Sequence, residues 1–225
     1  MKKRILVLGA VLVMGVTGCG SKKVVETEMS KETVQQSSSV EKTTETETTE
    51  TATTVEELQK RENTNFRNAY WGDDIETVKK FEDAKPESGE DNALLYSTKV
   101  SNRDAYAIYY FDDNGKLYQG MYVINEEYSN AGQYIPQYNS LRDSLKEKYG
   151  EADEDTIIPL ERQNLIDIAG DASALQYGYV VYRATWNDYN GTKIMIGMQS
   201  QNFKVGTVIM YTDVNYKEDV NNSGL

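Results

Sequence analysis

The residues able to do covalent chemistry are few. The 225-residue chain has one cysteine, Cys19, and no histidine. A single thiol excludes an internal disulfide and any CxxC metal or redox site. The absence of histidine excludes Ser-His-Asp triads, Cys-His dyads and the usual zinc sites. What remains is a Ser/Lys pair or carboxylate chemistry, and for the latter two side chains must be held about 5–10 Å apart. The 36 acidic residues fall into no such frame. Asp188, between Trp186 and Tyr189, is the most suggestive of them, and a hairpin turn at "WNDYNG" explains it as well. Asp112-Asp113-Asn114 resembles the start of a calcium loop but lacks the later acidic ligand of an EF-hand, so a hairpin turn is the expected reading. The expected catalytic, metal and cofactor complement is therefore none. Tyrosine is the more informative residue, with 17 in the chain. Tyr106, Tyr110, Tyr118 and Tyr122 lie on consecutive strand-like segments and are the candidate binding surface, because tyrosine contacts both proteins and sugars well. The same tyrosines also suit a half-exposed sheet without any binding role.

The flanks of Cys19 give its chemistry. Lys2, Lys3 and Arg4 precede an apolar run, Ile5 to Val16, that suits a signal peptide and is short for a membrane span. Small residues then lead directly into the cysteine as Val16-Thr17-Gly18-Cys19. This order resembles the lipobox of bacterial lipoproteins, with Val16 where leucine is commonest. The resemblance implies a signal peptide over residues 1–18, cleavage before Cys19, a diacylglycerol on its sulfur and a cell-membrane location facing the extracytoplasmic side. Two acyl chains suffice for stable anchoring, at about 0.8 kcal/mol per buried methylene. An ordinary signal peptide with an incidental cysteine, and an N-terminal membrane helix, are the competing readings.

Residues 19–62 are rich in Thr, Glu and Ser and carry neither helical nor strand periodicity. Such a segment buries too little apolar area to offset the entropy of ordering. It is expected to be a disordered linker of roughly 35 Å mean end-to-end distance. Loss of residues 1–18 removes Lys2, Lys3 and Arg4 and takes the net charge from −12 to −15. Strong acidity argues against nucleic acid as a partner.

From residue 63 to 225 the pattern is that of one α+β domain. "DDIETVKKF" reads as a helix with Asp73 as N-cap and Glu76 three residues later. Three strands are expected over 93–100, 104–111 and 116–124, joined by turns at Ser101-Asn102 and Asp112–Gly115. "IPQYNSLRDSLKEKYG" reads as a second helix with Tyr138, Leu141, Leu145 and Tyr149 on one face and Gly150 as its stop. One or two short helices follow, with Asp171 as an N-cap, and then strands over 179–186, 192–199 and 204–212. Phe111 and Leu117 are expected in the core. The expected fold is an antiparallel sheet of about six strands, made by two helix-plus-three-strand halves over 65–130 and 131–213, with the helices packed on one face.

"WGDDIETVKKFED", the "FDDNGKL" hairpin and "LKEKYGEAD" resemble the helix-then-meander unit of the β-lactamase-inhibitor-protein fold and of the small lipoprotein of the outer-membrane barrel-assembly machine. Gly150-Glu151-Ala152 departs from the Gly-x-Pro common there. The chain as a whole resembles lipoproteins of low-GC Gram-positive bacteria. These resemblances imply a non-catalytic interaction module, for a protein partner of the cell envelope. A wall-glycan binder using the tyrosine face and a carboxylate-dependent wall hydrolase are the alternatives.

Overall fold

Short hairpin turns dictate the architecture. Ser101 and Asn102, Asn190 and Gly191, and Asn202 and Phe203 all have positive φ, the backbone that matches a two-residue turn to the twist of its flanking strands. The computed structural model describes residues 61–87 and 92–217. Cys19, the signal peptide and nearly all of the linker lie outside the described residues. The elements run α1 (Ile75–Phe81), β1 (Lys85–Pro86), β2 (Ala93–Val100), β3 (Arg103–Phe111) and β4 (Leu117–Ile124), followed by α2 (Tyr134–Tyr149), β5 (Glu154–Pro159), α3 (Gln163–Ala169) and α4 (Asp171–Gln176). They end with β6 (Val180–Tyr189), β7 (Thr192–Gln201) and β8 (Lys204–Asp213).

The strands form one antiparallel sheet in the order β1-β2-β3-β4-β8-β7-β6-β5. This corrects the expectation of about six strands under a layer of two helices. Among the described residues the sheet has eight strands and is the body of the domain, and only α2, at 16 residues, is a long helix. The two additional strands are both edges. β1 is two residues ending in Pro86. β5 opens on Glu154-Asp155 and is exposed along almost its whole length. Neither buries a face, so neither carries the alternation that betrays a strand. The order is mirrored about the central β4–β8 pair: each half places its last strand at the centre and its first strand at the edge.

One face of the sheet holds the main core. Tyr109, Phe111, Leu117, Ile194, Ile196 and Ile209 pack there against Val78 of α1, Tyr138, Leu141 and Leu145 of α2, and Leu175 of α4. α2 ends where Gly150 takes φ 87°, a left-handed conformation that glycine adopts without strain. The Gly150 carbonyl accepts a 2.8 Å bond from the Trp186 indole, which ties the helix end to β6. On the opposite face Leu95, Ile108, Met121 and Val208 form a smaller buried cluster.

The start of α1 differs from the sequence expectation by one residue. Asp74 is the N-cap, and its carboxylate accepts from the Thr77 amide at 2.8 Å. Asp73 instead accepts from the Tyr70 amide and pairs bidentately with Arg61 at 2.6 and 3.0 Å. Two adjacent aspartates offered two caps, and the ion pair to Arg61 took the first. Likewise Gly170 caps α4 and Asp171 is its first residue.

Candidate functional site

The four tyrosines singled out in the sequence do not form one surface. Tyr106 and Tyr110 flank the small cluster on the open side of the sheet. Tyr118 stacks on Tyr216, rings 3.9 Å apart. Tyr122 lies on the core side, against Phe66 and Tyr211 at 4.9 and 6.1 Å. The cause is register. Tyr122 pairs with Ala107 and Val123 with Tyr106, and the β3–β4 ladder slips at Tyr110/Phe111. A one-residue slip moves a strand's side chains to the other face. Alternation read within β4 could not see this bulge.

Tyr122 belongs instead to a pocket of about 460 Å³, within the range of small-molecule sites. Its wall is aromatic, made by Tyr122, Tyr149, Tyr189 and Tyr211 with Phe66 and Ile194. Each comes from a different place: the loop before α1, β4, the last turn of α2, the β6–β7 hairpin, β7 and β8. Phe66 anchors the floor. It is fully buried, and its ring lies 5.0 Å from Tyr109 and 5.3 Å from Tyr211. Gly120 makes room for it, since a Cβ there would fall 2.2 Å from the ring.

Arg67 lines the pocket and ties it to a buried ionic knot. Arg67, in a left-handed turn at φ 50°, donates to both Glu82 oxygens at 2.7 and 2.8 Å and to Thr98 Oγ1 at 3.0 Å. Glu82 is 1% exposed and also accepts from the Tyr109 hydroxyl and, at 2.8 Å, the Ala84 amide. Burial alone would raise the Glu82 carboxyl, but the bonds from Arg67, Tyr109 and Ala84 prevail and hold it below the usual carboxylate range. Burial would lower Arg67, and Glu82 reverses that, so Arg67 stays charged. Burial, then the Glu82 charge and bond, push Tyr109 far above the ordinary phenol range. Burial likewise raises Tyr122 against the opposing charge of Arg67. It also raises Tyr211, with the neighbouring Tyr149 hydroxyl adding to the effect. All of these phenols are therefore neutral at pH 7.

The polar groups of the pocket divide in two. Asn65 and Thr192 are committed: Asn65 accepts from the Trp71 amide and donates to Thr192, which also takes the Trp71 indole at 3.0 Å. The rim is not. Lys148 Nζ lies 4.9 Å over the Tyr149 ring and has no ion-pair partner among the described residues. The side chains of Asn63, Tyr189 and Asn190 make no hydrogen bonds there either. No Asp or Glu lines the pocket, in a chain of net charge −12. The arrangement offers flat aromatic area, amide and hydroxyl groups, the Arg67 guanidinium already paired with Glu82, and one ammonium unpaired among the described residues: the chemistry of non-covalent contact.

The carboxylates weighed in the sequence have structural partners. Asp188 accepts from the Gly191 amide at 2.9 Å, and Asp112 accepts from the amides of Asn114 and Lys116 at 2.9 and 2.8 Å. Both carboxylates cap hairpin turns, Asp188 from the end of β6 and Asp112 from the residue after β3. Among the described residues no group of three or more acidic, cysteine or histidine side chains is placed to hold a metal, and no helix is long and apolar enough to cross a membrane. Sequence reasoning missed Phe66, Tyr149, Tyr189 and Tyr211 as neighbours. The only local signals were tyrosines beside turn glycines, at Tyr149-Gly150 and Tyr189-Asn190-Gly191. No known protein family, curated protein or solved structure matches the chain.

Proposed function

We propose that this is a lipid-anchored extracytoplasmic binding module. Cys19 carries the acyl chains, residues 19–62 lift the domain from the membrane, and the domain holds a protein partner of the cell envelope without covalent chemistry. The observation that carries the binding half is the tyrosine pocket. Its aromatic wall is preset by packing around Phe66, and its rim keeps uncommitted donors at Lys148, Tyr189 and Asn190. Tyrosine and tryptophan give large contact area at low entropic cost, which suits them to recognition surfaces. One feature favours a second reading, a wall glycan as the occupant: the pocket combines tyrosine rings with the amide side chains of Asn63 and Asn190, the pairing that matches the apolar face and hydroxyls of a sugar.

The anchor is tested by Cys19→Ser. The wild-type chain is expected to partition into the detergent phase and the variant into the aqueous phase. A variant that still follows the membrane shows a different anchor. The binding half is tested by photo-crosslinking from position 189 in intact cells, compared with the same probe at a surface turn.

A further inference from the structure

The sheet has two edges, and they are unlike. β1 is closed by its length, two residues, and by Pro86. β5 is six residues long and pairs on one side only, with β6, among the described residues. Natural proteins usually blunt such an edge, and here the blunting is partial. The Leu160 amide donates to the Tyr179 carbonyl at 2.7 Å, in register with the β5–β6 pairs. Antiparallel ladders alternate, so Ile158 and Thr156 turn their amides to β6, and Asp155 and Ile157 turn theirs outward. Pro159 offers no donor on that side.

Large apolar side chains are exposed on and near this strand. Ile157 is 53% exposed, Leu160 61% and Ile168 of α3 81%. Isolated apolar residues on a surface are ordinary, and the groove beside Ile157 is what points to a contact site here. Ile157 also lines a groove of about 530 Å³ with Pro159, Ile166 and Tyr182. The charged residues on its wall are Asp167 and Asp171, and no Lys or Arg lines it.

Resting on the partner-binding reading above, we propose that this edge receives an extended segment of the partner protein as a ninth strand. The backbone pairs with the outward groups of Asp155 and Ile157, an apolar side chain enters the groove, and lysine or arginine residues flank it to face Asp167 and Asp171. Strand addition draws affinity from main-chain bonds and selectivity from alternate side chains. The acidic wall supplies the sign of the partner's charge.

The probe is a synthetic peptide of alternating lysine and valine, with a control of equal charge whose central residues are proline. Hydrogen exchange is followed on the lipidated full chain in detergent. The alternating peptide is expected to slow exchange at Ile157 by about tenfold or more, and the proline control to leave it unchanged. Ile157→Pro removes an outward amide and no β5–β6 bond, so the melting temperature is expected to hold while affinity falls at least about tenfold. Ile157→Lys, which keeps the amide and places a like charge in the groove, is expected to weaken binding while the fold persists. Equal binding of both peptides, equal binding to Ile157→Pro, or self-association through β5 would each overturn the proposal. Crosslinking from position 189 reports the binding reading separately. If that crosslink forms while the edge ignores the peptide, only strand addition is refuted.

Discussion

Replacing Glu82 with Gln is expected to destabilise the domain by about 3 kcal/mol, because the change leaves the Arg67 charge buried without its counter-ion. The value sits at the lower end of the range for broken buried pairs. Arg67 is 15% exposed and keeps Thr98 and Asp83 as partners. For a domain of this size the melting temperature should fall by roughly 10 °C, readable by circular dichroism. The pH dependence gives a sharper check. Glu82 is held below its unfolded value, so the unfolded chain binds its proton first as pH falls. The stability it contributes is complete above the ordinary carboxylate range, near pH 4–5, and is lost as pH drops through the depressed folded value. The wild type should therefore lose stability on acidification more steeply than Glu82→Gln. Parallel acid profiles, or a loss under about 1 kcal/mol, would mean the pair is not the buried lock described.

Phe66→Ala should be as damaging, at about 3–5 kcal/mol, the usual cost of emptying a buried aromatic site. The ring is 2% exposed and touches Tyr109, Tyr122 and Tyr211. Its partnership with Gly120 allows a test that ordinary cavity formation does not. Gly120→Ala alone should destabilise, since the new methyl would overlap the Phe66 ring at 2.2 Å. In the Phe66→Ala background the same methyl enters vacated space. A double-mutant cycle by denaturant titration should therefore show strong coupling, with the Gly120→Ala penalty gone or reversed. Additive losses would contradict the packing assigned to Phe66.

The sequence revealed the strands that bury a face and the turns that join them. Ala107, Tyr109 and Phe111 alternate against the core, and Asn-Gly at 190–191 marks its hairpin, so both were legible. β5 was not, because an exposed edge with Glu154 and Asp155 at its start has no pattern to read. The site was less legible than the fold. Alternation assigns a residue to a face within one strand, but which face meets which neighbour depends on register, and the slip at Tyr110/Phe111 separated Tyr122 from Tyr106 and Tyr110. The Tyr149, Tyr189 and Tyr211 wall joins residues 62 or fewer positions apart in the second half with Phe66 and Tyr122 from the first. Only the mirrored strand order, which sets β4 beside β8, brings them together.

The central claim is that the tyrosine pocket receives a binding partner in the cell envelope. The most direct measurement replaces Tyr189, which is 41% exposed on the pocket rim, with the photo-crosslinker benzoylphenylalanine in cells that make the protein. A second strain carries the same probe at Lys116, in the β3–β4 turn. The expected result is a discrete adduct from position 189 that is absent from position 116 and lost when Lys148→Glu is added. The same adducts from both positions, or an adduct indifferent to Lys148→Glu, would contradict the account.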